Sequence, residues 1–390
     1  MDAVTRLLAE LVAIPSVNPM GRPLAGYGYL EQGMTEFLVR WFTELGVPCE
    51  RQRISEGREN LIARYVPPGA KQTLLFDAHQ DTVPTDGMIV EPFGSVIESG
   101  KLFGRGSCDV KGGMAAMLTA FARLVREQPS GSAAVIMACT VDEEFTHQGS
   151  SRLAATNLGA DLGIVAEPTM LQVVNCHKGA VRWKVRTKGV ACHSSTPHLG
   201  RNAIYEMAPI LTALQAHADE LASSTPHPVL GAPSLSVGRI EGGQSVNVVP
   251  DWCEVEIDRR VIPGEQAADC IQRVRSFFND LSLDPEGVEF LPPWVQMPAL
   301  SGELPGTTPA AQSICKVVQK VTGRTARIEG VPYGTDAGPL AQGGLPCLVI
   351  GPGDIAQAHT KDEWIELDQV RMAADVYFAI ACELGRETRG

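Results

Sequence analysis

Four short apolar stretches of this chain break off where residues with hard-cation donor groups begin. Leu74-Leu75-Phe76 runs towards His79, and Ala133-Ala134-Val135-Ile136-Met137-Ala138 runs towards Glu143-Glu144. Gly163-Ile164-Val165-Ala166 stops at Glu167, and a Gly/Pro loop carries the chain from Leu348-Val349-Ile350 to His359. Apolar runs this short read as buried strands. In an open α/β sheet the ligand site lies outside the carboxyl ends of the strands. Side chains distant in sequence are therefore expected to meet along one sheet edge. Two His and several carboxylates gathered there are the inventory of a site for two divalent metals.

Singly, these residues have ordinary explanations. His79 fits a turn His bonded to its neighbour, and Asp109 fits a helix N-cap. Glu143-Glu144 fits a solvated acidic turn, and His359 an exposed loop. Their shared position, after strands or at a helix entry, makes metal ligation the joint reading. In His79-Gln80-Asp81, side chains two apart share one side of a strand end. Asp81 is thus placed to orient the His79 imidazole. Asp109 lies in Gly104-Arg105-Gly106-Ser107-Cys108-Asp109-Val110-Lys111-Gly112-Gly113. That turn lacks the GxxxxGK[ST] spacing of a phosphate cradle and carries an acid at the critical point. A carboxylate, with two oxygens, can bridge two metals. Adjacent Glu143 and Glu144 point in different directions, which suits one to metal and the other to general-base work.

The rest of the chain narrows the class. A length of 390 residues suggests two domains. The net charge of −12, with no basic block, argues against a nucleic-acid partner. No apolar run approaches the ~18 residues of a membrane span. The ten Cys are scattered without CxxC pairs. Met1-Asp2-Ala3-Val4-Thr5 shows no secretory pattern, so the thiols read as reduced and the expected location is cytoplasmic.

Helical spacing marks residues 2–14, ended by Pro15, and roughly 30–45. Strands are expected near 60–66, 73–78, 133–141 and 161–166, with a helix over 112–126 between them. This alternation predicts an α/β layer with a central mixed sheet. After about residue 178 the pattern changes. Val181-Arg182-Trp183-Lys184-Val185-Arg186 alternates, as a strand with one solvated face does. A helix near 201–222, strands near 234–240 and 245–261, a helix near 264–282 and a strand near 287–291 follow. That order is the ferredoxin-like split unit. From about 298 the α/β pattern returns: a helix near 307–322, a strand at 346–350 and a helix near 367–385. One domain, 178–297, thus interrupts another formed by 1–177 and 298–390.

These residues resemble the M20 family of metallopeptidases and amidohydrolases along nearly the whole chain. The similarity rests on His79-x-Asp81-x-Val83, Gly104-Arg105-Gly106-x-x-Asp109-x-Lys111-Gly112-Gly113, Glu143-Glu144, Glu167-Pro168, Gly189-x-x-x-His193-Ser194, Asn247-Val248-Val249-Pro250 and His359. The resemblance implies a zinc-exopeptidase-like catalytic domain interrupted by an α+β lid and dimerisation domain. It implies two Zn²⁺, replaceable by Co²⁺, bridged by Asp109. His79 and Glu167 complete one metal, and Glu144 and His359 the other. Glu143 is then general base and acid, and Asp81 orients His79. The Asp109–Val110 peptide is implied to be cis. In a homodimer, His193 would reach the partner's active site and donate to the oxyanion. Asn247 and Arg259 match positions that hold substrate polar groups, and Gly334-Thr335 the pocket lining. Within the family, Gly351 to His359, Glu167-Pro168-Thr169 and His177-Lys178-Gly179 look most like the acetylornithine deacetylase branch. Thr335-Asp336-Ala337-Gly338 departs from the desuccinylase pattern. The implied substrate is an N-acyl amino acid, as in arginine biosynthesis. A carboxypeptidase, dipeptidase or succinyl-diaminopimelate desuccinylase reading is the alternative, and a metal-free binding protein is disfavoured because no ligand position is lost.

Overall fold

A computed structural model describes residues 1–24, 26, 28–279 and 287–386. It divides into two compact units, one of residues 1–176, 301–330 and 335–390, the other of 177–300 and 331–334. The segment 331–334, which the sequence places with the catalytic part, goes with the second unit. The Lys178 amide donates to the Val331 carbonyl at 3.3 Å, and Gly334 lies against the Met297 side chain.

The first unit is built on an eight-stranded sheet. Its order is Cys49–Ser55, Arg58–Tyr65, Ala134–Thr140, Thr73–His79, Leu162–Val165, Cys347–Val349, Val173–His177 and Ile328–Val331. The central strands are parallel: Thr73–His79 pairs with both Ala134–Thr140 and Leu162–Val165, and the latter with Cys347–Val349. All seven residues of Ala134–Thr140 are buried. A strand covered on both faces has no polar side, hence the unbroken apolar run. Register fixes the site edge, because His79 stands opposite Thr140 and Asp77 opposite Val165. The four apolar runs therefore end side by side.

Helices cover this sheet. Ala3–Val12 is capped by Asp2, whose carboxylate accepts from the Thr5 amide at 2.9 Å. Leu8 and Leu11 of that helix join Met114, Met117 and Phe121 of Gly112–Glu127 and Val370, Tyr377 and Ile380 of Leu367–Leu384 in one core. Several elements were not anticipated, among them the sheet strands Val173–His177 and Ile328–Val331 and the helix Gln148–Ala154. Strand Cys49–Ser55, Cys-Glu-Arg-Gln-Arg-Ile-Ser, lies at a sheet edge with mostly solvated side chains, so it carries no apolar run. A small sheet of Trp364–Glu366, Lys101–Phe103 and Val96–Glu98 uses strands too short to leave a periodic signal.

The second unit runs Gly179–Lys188, Ala203–Ala222, Ser234–Gly242, Trp252–Val261, Ala267–Asn279 and Val288–Phe290. The strand order is Ser234–Gly242, Trp252–Val261, Gly179–Lys188, Val288–Phe290, with antiparallel neighbours, and a fifth strand, Val295–Met297, which the sequence did not suggest, also pairs antiparallel with Gly179–Lys188. This is the split β-α-β-β-α-β arrangement expected. Alternation decides its faces. Val181, Trp183, Val185, Val255 and Ile257 pack on Met207, Ile210, Leu214 and Val274, while Arg182, Lys184 and Arg186 pair with Asp258, Glu254 and Glu256 on the other side. Asn202 caps Ala203–Ala222 by accepting from the amides of Ile204 and Tyr205. Residues 280–282 of the expected helix 264–282 lie outside the described residues. Among the described residues, no helix is long and apolar enough to cross a membrane.

Candidate metal centre

Every ligand candidate of the first unit arrives at the sheet edge by its own strand or turn. His79 is the last residue of its strand. Its Nε2 lies 3.2 Å from Asp109 Oδ1. Its Nδ1 lies 2.9 Å from the main-chain oxygen of Asp81 and 3.7 Å from that residue's Oδ1. The carbonyl accepts only if Nδ1 carries the proton, which leaves the Nε2 lone pair for a metal. Asp81 therefore orients His79 chiefly through its backbone. Its carboxylate does something the sequence did not suggest: it accepts from the amides of Glu143, at 3.1 Å, and Glu144, at 3.2 Å. One buried side chain thus fixes the start of the Glu143-Glu144 turn.

Asp109 sits in a tight turn entered through Gly106, whose φ of 81° is left-handed; a Cβ there would stand 2.6 Å from Thr82 Cγ2. The Asp109–Val110 peptide is cis. The two Asp109 oxygens face different His rings: Oδ1 towards His79, and Oδ2 3.2 Å from His359 Nε2. His359 Nε2 also lies 3.1 Å from Glu144 Oε2. Two donor sets result, His79–Asp109–Glu167 and Asp109–Glu144–His359, each with ligand atoms within 4.8 Å of one another. Glu143 belongs to neither, although its Oε2 lies 4.0 Å from His79 Nε2.

Charge tests whether metals suit these residues. Burial pushes the carboxyls of Glu143 and Glu167 well above their usual range and raises Glu144, and neighbouring carboxylates add to each shift. Burial opposes a charge on His359, but hydrogen bonds to Asp109 and Glu144 carry it up to about 11. Burial likewise opposes a charge on His79, yet Asp109, Glu143 and Asp81 together hold it well above the ordinary imidazole value. Four acids crowd two His, so the cluster lacks positive charge. Divalent cations would supply it, and nitrogen plus carboxylate donors suit zinc-like ions. The residues present fit the pair of metals.

A buried polar layer lies behind Asp81. Asn18 Nδ2 donates to Asp81 Oδ2 at 2.9 Å and to Asp142 Oδ1 at 3.0 Å. Arg58 is ion-paired with Asp142 and lies 3.5 Å from Glu31. Burial, then the charge of Asp81, push the Glu31 carboxyl up to about 8. This folded value exceeds that of an unfolded chain. Its contribution to stability is thus complete at acid pH and lost as pH rises towards about 8. Glu31→Gln is expected to flatten that loss and raise the melting temperature at pH 8 by a few degrees. Thermal melts of both proteins from pH 5 to 8.5 check it.

Two residues beside Glu143 escaped the sequence reading. His147 Nδ1 lies 3.6 Å from Glu143 Oε1 and 3.4 Å from Asp336 Oδ1, and the three side chains are buried together. The Thr140 hydroxyl reaches Asp336 at 2.9 Å and Asp77 at 3.0 Å. The spacing of four between Glu143 and His147 was the available signal. No helix spans it, and a left-handed His147, φ 55°, turns the ring back. Asp336 directly follows Gly334-Thr335, the residues expected at the pocket. Thr335 is fully buried, and its Oγ1 accepts from the Ala337 amide at 3.1 Å at the start of the helix Ala337–Gln342.

In the second unit, His193 and Asn247 are neighbours, since the Ser194 amide donates to the Asn247 carbonyl at 3.0 Å. His193 is exposed, and its Nδ1 accepts from the Ser195 amide at 3.1 Å. In the neutral ring Nε2 is then the N–H donor. Arg259 corrects the sequence expectation. It is 2% exposed, on the core face of its strand, and its guanidinium is bonded to Glu265 and to the Arg260 carbonyl. That arrangement argues against a substrate contact; Arg260, on the opposite face, is the half-exposed residue.

Residues 75–383, which include every candidate ligand, match peptidase family M20/M25/M40. The chain belongs to that family. An M20 member is a metal-dependent hydrolase, and a shared Asp109 between two His-containing sets accords with that class. Among relatives, the acetylornithine deacetylase of Proteus mirabilis is 32% identical over 369 residues, covering 93% of this chain and 91% of its own. That of Photorhabdus laumondii is 31% identical over 375 residues, covering 93% and 92%. Solved M20-type folds are similar too. An M20 metallo-carboxypeptidase from Sulfolobus solfataricus superimposes with a TM-score of 0.79 at 19% identity, covering 98% of this chain and 100% of its own. A Staphylococcus aureus tripeptidase gives 0.78 at 20% identity, covering 99% and 98%.

Proposed function

We propose that this M20 hydrolase cleaves the amide bond of an N-acyl amino acid, with N-acetylornithine the first candidate and a step of arginine biosynthesis the implied setting. The observation that carries the mechanism is Glu143, whose Oε2 lies 4.0 Å from His79 Nε2 although it belongs to neither of the two sets that share Asp109 and groups instead with His147 and Asp336. His79, Asp109 and Glu167 would hold one Zn²⁺ and Asp109, Glu144 and His359 the other, with Co²⁺ able to substitute. When bound, such a pair supplies Lewis acidity, which acidifies water and polarises a carbonyl.

The protein's own residues do the rest. Glu143 takes the proton of the attacking water and delivers it to the leaving amine. Asp81 keeps that carboxyl aimed by holding the Glu143 amide. His193 presents its Nε2 proton to the developing oxyanion, a contribution of roughly 3–4 kcal/mol for a well-placed donor. We assign this His193 to the partner of a homodimer formed through the second unit, with Asn247 beside it holding substrate polar groups. The substrate assignment draws on the deacetylases that share about a third of the sequence along nearly its whole length.

A panel of N-acetyl amino acids and dipeptides, assayed with zinc or cobalt added, tests the substrate. Turnover of N-acetylornithine above the dipeptides supports it. Dipeptide cleavage with no deacetylation replaces it by the peptidase reading.

A further inference from the structure

One buried carboxylate outside the catalytic set accepts four hydrogen bonds from the turn that carries Asp109. Glu363 Oε2 accepts from Arg105 Nη1 at 2.7 Å and from the Gly106 amide at 3.0 Å. Its Oε1 accepts from the amides of Cys108, at 2.9 Å, and Asp109, at 3.1 Å. Glu363 is 0% exposed and Arg105 3%. We propose that Glu363, backed by Arg105, is a positioning residue of the metal centre: it holds the Gly106–Asp109 turn so that the two Asp109 oxygens face the two His rings. This inference rests on the dinuclear reading above.

Three points support it. First, all four donors to this buried carboxylate come from the one turn, Arg105 Nη1 and the amides of Gly106, Cys108 and Asp109. Packing alone gives no reason to bury a carboxylate there, whereas three amides pointing inward from one turn do. Second, Glu363 follows His359 by four residues. The same side chain thus links the segment bearing one ligand to the turn bearing the shared ligand. Third, the backbone link is slight: the Gly104 amide donates to the Glu363 carbonyl at 3.0 Å, and the strand pairing from Trp364 onward stops at Phe103. Between Phe103 and Asp109 the amides of Gly104, Arg105 and Ser107 donate to main-chain carbonyls, and those of Gly106, Cys108 and Asp109, the ones nearest the ligand, are held by the Glu363 side chain. Glu363 touches neither substrate nor metal, so its effect passes through Asp109.

The test is Glu363→Gln. The amide keeps one acceptor oxygen and turns an NH₂ towards two N–H donors, so two of the four bonds become repulsive. Metal-stripped wild type and variant are titrated with Zn²⁺ against a chromophoric chelator, with circular dichroism recorded alongside. The expected result is wild type binding two Zn²⁺ and a folded variant binding them ~10–100-fold more weakly, the usual penalty for losing a group that orients a ligand. A lowered melting temperature with unchanged Zn²⁺ affinity overturns the proposal. A wild type that binds no Zn²⁺ overturns the metal reading itself, and the proposal with it. If Glu363→Gln does not fold, Arg105→Gln decides: it removes one of the four bonds to Glu363, along with the Arg105 bond to the Pro84 carbonyl, and leaves the three amides. Weaker Zn²⁺ binding in that variant supports the proposal, and wild-type affinity overturns it.

Discussion

Glu143→Ala is expected to lower kcat by roughly 10²–10⁴-fold, the usual range for a positioned general base, while both metals stay bound and KM changes little. The reason is geometric. Glu143 stands 4.0 Å from His79 Nε2 without entering either donor set, so its loss removes proton transfer and leaves ligation intact. The parallel change Glu144→Ala should behave differently. Glu144 Oε2 lies 3.1 Å from His359 Nε2 within a donor set, so metal is lost along with turnover. Steady-state kinetics with metal analysis on both variants separates the two adjacent acids. Equal metal loss in both would show that Glu143 is a ligand rather than the base.

Asp109→Asn should have the broadest effect. Each Asp109 oxygen serves one His-containing set, Oδ1 that of His79 and Oδ2 that of His359. An amide keeps one oxygen and presents an NH₂ to the other set, so bridging fails. The expected result is loss of at least one tightly bound metal and hydrolysis reduced to background. Glu167→Ala, by contrast, should empty only the His79 set. Metal stoichiometry after gel filtration checks both. Two metals retained by Asp109→Asn would mean the sets are independent.

Much of this was legible in the chain because burial leaves a one-dimensional trace. Ala134–Thr140 is buried on both faces, so its apolar run announced a central strand and located Glu143-Glu144 just beyond it. Gly179–Lys188 alternates because one face is solvated. What stayed hidden depends on pairing across long sequence separations. Glu363 meets its turn from more than 250 positions away, and nothing in Thr360-Lys361-Asp362-Glu363 distinguishes it from a surface acid. Asp336 meets His147 across 189 positions, a pairing that leaves no local pattern in either segment. Arg259 shows a different limit. Two adjacent Arg at a strand end differ by one step of the pleat, and only the register tells which faces the core. The carbonyl and carboxylate of Asp81 divide work that sequence spacing assigns to one group.

His79, Asp109 and Glu167 on one side and Asp109, Glu144 and His359 on the other would hold two divalent ions, on which amide hydrolysis by this chain is expected to depend. The most direct test is to strip the metal, add Zn²⁺ or Co²⁺ in measured equivalents, and follow N-acetylornithine hydrolysis at each step. The expected result is no activity without metal and a rise that levels off at two equivalents per chain. Hydrolysis that survives full metal removal, or two tightly bound ions with no cleavage of any N-acyl amino acid or dipeptide, would contradict it.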